Sequence, residues 1–159
     1  GYSERWPKGG FTTELDIYLD PAWEPGTGFI YAVSFDVLDS APPSPPYRYL
    51  YFAVERTDEG LSVAGEPVGE AGWYTFRQRF TSEGGSLAVE FELAQQNHVL
   101  FTQAVATTAL TGEDVSSFDV SNVGTGYSWF VAISEGLRLP MDEHAYVPSP
   151  AARGGGSGR

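Results

Sequence analysis

The sequence predicts an all-β protein, a two-sheet antiparallel β-sandwich, on three observations. Short β-rich runs recur along most of the chain, turn clusters separate them, and no window holds an apolar period of 3.6 over three turns. Many short strands joined by frequent turns are the raw material of sandwiches and barrels. At 159 residues and 42% hydrophobic content, the chain can bury one core of this kind without help from disulfide or metal.

In chain order the strands are expected at "FTTELDIYL" (11–19), "GFIYAVSFDVL" (28–38), "YRYLYFAVER" (47–56) and "GWYTFRQRF" (72–80). They continue at "SLAVEFELA" (86–94), "HVLFTQAVAT" (98–107), "YSWFVAI" (127–133) and "GLRLPMDEHAYV" (136–147). The clusters "DPAWEPGTG", "DSAPPSPP", "RTDEG", "SEGG", "QQN" and "VGTG" break the runs with Gly, Pro, Asn and Asp. The best helical stretch, "LTGEDVSSFDV", is short and rich in Ser and β-branched residues, so it reads as a loop with one turn. A Gly-Thr-Gly turn feeding an aromatic strand occurs twice, at 26–35 and 124–134. One sandwich domain is expected over residues 1–148, with "SPAARGGGSGR" (149–159) as a flexible Pro/Gly/Ser tail or linker.

Side chains two apart share a strand face. One phase collects Phe11, Leu15, Ile17, Leu19, Leu50, Phe52, Val54, Tyr74, Phe76, Phe80, Leu87, Val89, Phe91 and Leu93 as a core. The other collects Glu14, Asp16, Tyr18, Tyr49, Tyr51, Trp73, Arg77 and Arg79, with Glu55, Glu90 and Glu92. Aromatic plates suit sugar C–H faces, and Arg and carboxylate groups suit hydroxyls. These eight residues are therefore the expected carbohydrate-binding face, with the two arginines suited to an acidic polysaccharide. A solvated sheet laced with cross-strand ion pairs would carry the same residues. Of the tryptophans, Trp129 is expected in the core, Trp23 on a loop and Trp6 as a cover over the sheet.

Charge and composition exclude several classes. A net charge of −12 repels phosphate backbones and anionic lipid, so neither nucleic acid nor a membrane surface is an expected partner. No apolar run is long enough to span a bilayer, so no membrane insertion is expected. Zero cysteine removes disulfides, thiolate nucleophiles and zinc–thiolate sites. His98 and His144 lie far apart without helical partners, which leaves transition metals unsupported. A structural calcium would take Asp114, Asp119 and Asp142 as ligands, with Glu113, Asn122 and Glu143 nearby. The same residues serve equally as turn and cap residues.

The stretch "ELDIYLD" resembles the E-x-D-x-x-E signature of the laminarinase and carrageenase glycosidases, in which the last Glu is the acid. Glu14 and Asp16 match the first two carboxylates, but the acid's place falls at Tyr18 or Leu19. Asp20 is no substitute, because about 20 Å of extended chain separates it from Glu14. Retaining hydrolysis needs carboxyl groups about 5–5.5 Å apart. Over about residues 9–147 the turn and strand patterns "GGFTTELDIYLDPAW…GTGFIYAVSF", "GWYTFRQRF…GGSLAVEFEL…VLFTQ" and "GYSWFVAI…GLRLPMDEHAYV" resemble bacterial secreted domains of the concanavalin A-like lectin/glucanase superfamily. The resemblance implies a concanavalin-like jelly roll, an extracellular or cell-surface location, and a polysaccharide or surface glycan as partner. A non-catalytic binding or adhesion module is the expected function. A self-associating structural subunit of a filament or surface layer is the first alternative, and a small polysaccharide hydrolase or lyase the second.

Overall fold

The computed structural model describes residues 2–3, 6–7, 9–37, 47–121 and 123–148. Eleven strands occur among them: β1 (Tyr2–Ser3), β2 (Phe11–Leu19), β3 (Gly28–Val37), β4 (Tyr47–Thr57), β5 (Gly60–Val63), β6 (Glu66–Val68), β7 (Gly72–Glu83), β8 (Ser86–Gln95), β9 (His98–Ala104), β10 (Val123–Ile133) and β11 (Met141–Pro148). They form two antiparallel sheets with the spatial orders β1-β10-β3-β4-β5-β6 and β11-β2-β7-β8-β9. This is the two-sheet β-sandwich that the strand pattern predicts. No described helix is long and apolar enough to cross a membrane.

The inward phase is the expected one. Phe11, Leu15, Ile17 and Leu19 of β2 are buried, whereas Glu14, Asp16 and Tyr18 between them are half-exposed. The two inner faces meet through aromatic rings: Phe52 stacks on Phe91 with centroids 4.3 Å apart, and Phe29 and Phe52 meet Phe76 edge-on at 5.7 and 5.4 Å. Each such buried side chain contributes about 1.5–3 kcal/mol of transfer free energy. One end of the core is closed by Trp6, whose ring packs edge-on against Phe11, Phe35, Phe80 and Tyr127. Trp129 is buried as expected, and Trp23 folds back over Phe29.

Differences from the predicted elements have local causes. The final strand starts at Met141, not residue 136, because a turn at Glu135–Gly136 and then Pro140 precede it. A short hairpin, β5–β6, was not expected. Its turn residues Ala64 and Gly65 both have positive φ, 49° and 87°, the left-handed geometry that closes two-residue hairpins. The 110–120 stretch contains one 3₁₀ turn, Val115–Ser117, capped by Asp114. Of the two Gly-Thr-Gly echoes only the first is a turn, ending where β3 begins at Gly28; the second, 124–126, lies within β10 at the register shift between Val123 and Tyr127. The predicted tail lies outside the described residues.

Candidate functional site

The outer face of the second sheet holds six of the eight expected binding residues. In register across β2, β7 and β8 stand Glu14, Arg77 and Glu92, with Thr12, Arg79 and Glu90 in the next row inward along β7. Arg77 donates to both Glu14 and Glu92, and Arg79 donates to Glu90 with Glu92 also 3.8 Å away. Partial burial alone would pull the Arg77 guanidinium below its ordinary value, but hydrogen bonds to Glu14 and Glu92 hold it above. The Thr75 hydroxyl donates to Asp16 at 2.6 Å. At the end of the face Tyr18 meets Trp73 edge-on at 5.7 Å, and Trp73 is 46% exposed.

This arrangement is a lattice of cross-strand ion pairs. Arg77 through Nε and Nη1, and Arg79 through Nη1, are turned to carboxylates of the same sheet, and carboxylates outnumber the arginines on that face. An acidic polysaccharide would meet these like charges at guanidiniums already engaged in part. Glu14 and Asp16 are likewise held, by Arg77 and Thr75.

The expectation of a single eight-residue face is corrected by the topology. Tyr49 and Tyr51 lie on β4, in the other sheet, so they face away from Tyr18, Trp73, Arg77 and Arg79 across the thickness of the sandwich. Strand phase says which side chains share a strand face; it does not say which sheet a strand joins.

The outer face of the first sheet has a different chemistry. Three registered rows across β10, β3 and β4 read Ser128–Ser34–Tyr49, Phe130–Ala32–Tyr51 and Ala132–Ile30–Ala53, all uncharged, and the next row pairs Asp36 with Tyr47. Tyr47 meets Tyr49 edge-on at 5.3 Å, and Tyr49 meets Phe130 at 6.2 Å. Tyr47 and Tyr51 are exposed, while Ala32 between the rings is fully covered. Toward Glu55 the face opens into a shallow depression of about 450 Å³, lined by Gly28, Ile30, Ala53, Glu55, Ala132 and Ser134. Gly28 is required there: a Cβ would sit 2.1 Å from the Val54 carbonyl oxygen. Tyr47 and Phe130 were not among the expected residues, although Tyr47 shares the phase of Tyr49 and Tyr51.

The proposed calcium ligands are not brought together. Asp114 accepts from the Ser116 amide and hydroxyl at 2.8 and 2.7 Å, and Asp119 accepts from Ser121 in the same way. The side-chain hydrogen bonds from Ser116 and Ser121, followed by the amide ones, hold both carboxyls below their ordinary value. Asp142 stands on β11 opposite Asp16. Among the described residues no three His, Cys, Asp or Glu side chains gather as a metal site. Asn122 and the Glu143 side chain lie outside what is described.

No protein-family model matches the chain, and no curated protein is significantly similar to it. The sandwich fold is shared by many unrelated functions, so the superfamily resemblance rests on its turns and strand patterns.

Proposed function

We propose that this domain is a non-catalytic carbohydrate-binding module that docks a neutral glycan on the outer face of its first sheet. The single observation behind this reading is the row Tyr47, Tyr49 and Tyr51 on one strand, with Asp36 beside Tyr47 at one end and the depression beside Ile30, Ala53 and Ala132 at the other. Successive tyrosines are about 7 Å apart along the strand, so the row offers a track and not a single ring-sized contact. The rings supply C–H stacking, the small side chains of Ser34, Ala32 and Ala53 allow close approach, and Glu55, Ser134 and the phenols supply partners for hydroxyls. Such a module works at the cell surface or outside it, where polysaccharide is met.

Affinity electrophoresis through gels holding neutral or acidic polysaccharides tests the reading. Retardation by a neutral polysaccharide is expected, weakened from about twofold to about tenfold in Tyr47→Ala and Tyr49→Ala, since each stacked ring is worth ~0.5–1.5 kcal/mol. Loss of retardation in Trp73→Ala with the tyrosine variants unaffected would move the site to the second sheet. Retardation by none of the polysaccharides would remove the function.

A further inference from the structure

Four strands end the two sheets: β1 and β6 in the first, β11 and β9 in the second. An edge strand presents unpaired backbone N–H and C=O groups, and proteins blunt it with brevity, charge, proline or bulges. β1 spans two residues, and β6 spans three that include Glu66 and Pro67. β11 carries Asp142 and Glu143, ends at Pro148, and has a register shift between Asp142 and His144.

β9 has little of this protection. Its sequence, HVLFTQA, contains no Pro, Asp, Glu, Lys or Arg, and every residue but Phe101 is exposed. Val99 is 45% and Leu100 46% exposed. One register shift puts Leu100 out of step opposite Leu93 and Ala94, and from Phe101 to Ala104 the pairing with β8 is regular. Beside this regular half lies a cleft of about 370 Å³, lined by Tyr51, Ala53, Ala64, Phe91, Gln103 and Val105 among others.

We propose that β9 is the surface through which two copies of this chain join, edge to edge and antiparallel about a twofold axis, extending the second sheet from one copy into the next. Antiparallel pairing sets the N-terminal half of each β9 against the C-terminal half of the other. The exposed Val99 and Leu100 of one copy then arrive at the Gln103–Val105 end of its partner, where the cleft is. The contact is self-complementary, as a twofold interface must be, and the backbone groups of two strand edges supply its hydrogen bonds. Charge selects the same place: copies carrying −12 each repel over most of their surface, and β9 is an edge where they can meet without opposing carboxylates.

Sedimentation equilibrium of the whole chain, from low micromolar to millimolar concentration, tests this. A monomer–dimer equilibrium is expected that tightens with added salt, because screening relieves the repulsion of like-charged copies. Val99→Glu and Leu100→Glu should each weaken the dimer about tenfold or more without changing the thermal midpoint measured at concentrations where the wild type is monomeric. Met141→Glu adds the same charge at the 47%-exposed position on the far edge, and should leave the dimer nearly unchanged. A chain monomeric throughout would overturn the proposal. So would a dimer that survives Leu100→Glu but dissolves in Tyr47→Glu, which would place the contact on the first sheet.

Discussion

Arg48 and Glu113 form an ion pair that ties the core-facing side of β4 to the connection between β9 and β10. Arg48 is 3% exposed and Glu113 39%. The guanidinium donates through Nε to Oε2 and through Nη2 to Oε1, the latter at 3.0 Å. Glu113 is fixed in turn by the Thr111 hydroxyl at 2.6 Å, and its backbone carbonyl accepts the Thr108 amide at 2.9 Å. Removing the carboxylate takes the bidentate partner from a buried cation that also donates to the Tyr47 carbonyl at 3.2 Å, whereas removing the cation releases a carboxylate that already touches water. Glu113→Ala should therefore cost about 2–4 kcal/mol and Arg48→Met distinctly less, an order that urea unfolding of the two variants would check.

The same pair predicts an acid limb. The Arg48 hydrogen bond, followed by that from Thr111, holds the Glu113 carboxyl below its ordinary value of 4.5. A folded value below the unfolded one means the unfolded chain binds the proton more readily. The stabilisation is then complete above the unfolded value and is lost as pH falls through the folded one. Asp114 and Asp119 titrate with the same sign, so the wild type alone does not isolate Glu113. Stability measured from about pH 6 down to about pH 3 should fall less steeply in Glu113→Gln than in wild type.

On the second sheet, Arg77 separates two carboxylates that would otherwise face each other across β7. Glu92 is the more deeply placed, at 11% exposure against 35% for Glu14. Arg77→Met should destabilise by roughly 1–2 kcal/mol. Double-mutant cycles should give a larger coupling for Arg77 with Glu92 than with Glu14, the latter about 0.5–1 kcal/mol. Equal couplings would mean that burial does not set the strength of this ladder.

Strand phase was the legible part of the fold. Phe11, Leu15, Ile17 and Leu19 alternate so strictly with Glu14, Asp16 and Tyr18 that only one face could be buried. Sheet membership was not legible, because pairing of β4 with β3 and of β2 with β7 is decided by contacts distant in sequence. That is why Tyr49 and Tyr51 were grouped with Trp73. The β5–β6 hairpin escaped because Ala64 stands where Asn or Gly usually announces such a turn. Arg48 sits in the inward phase of β4, but its partner Glu113 lies 65 residues away and nothing local points to it.

Gly10 precedes β2 with φ +81°, and a Cβ there would lie 1.8 Å from the Phe80 carbonyl oxygen. Gly26 has a similar φ, +85°, with nothing within 4 Å of its missing Cβ. Backbone strain alone costs about 1–2 kcal/mol, which is the expected penalty for Gly26→Ala. Gly10→Ala must also push β2 away from β7, and its penalty should exceed about 3 kcal/mol. Thermal unfolding of the two variants separates the strain from the clash.

Between the sheets lies a small polar group of Thr13, Gln78 and Tyr31, all buried. Gln78 donates from Nε2 to the Tyr31 carbonyl at 2.6 Å, linking the two sheets, and the Thr13 hydroxyl donates to Gln78 Oε1 at 3.3 Å. The Tyr31 phenol has no hydrogen-bond partner of good geometry among the described residues, although Thr13 is near enough to influence its ionisation. Burial pushes that phenol up to about 12 from 10.0. Gln78→Leu leaves the Thr13 hydroxyl and the Tyr31 carbonyl short of a partner and should cost about 1–3 kcal/mol. Tyr31→Phe removes an unsatisfied group and should be neutral or stabilising by up to ~1 kcal/mol near neutral pH. A raised folded value gives stability that is complete below the unfolded value and is lost as pH rises through the folded one. Wild-type stability should therefore decline above about pH 10, and Tyr31→Phe should lose the Tyr31 share of that decline. Tyr74 and Tyr146 are raised as well, chiefly by burial, so a residual alkaline slope is expected in the variant. An alkaline slope identical in both proteins would show that the Tyr31 phenol is reached by solvent.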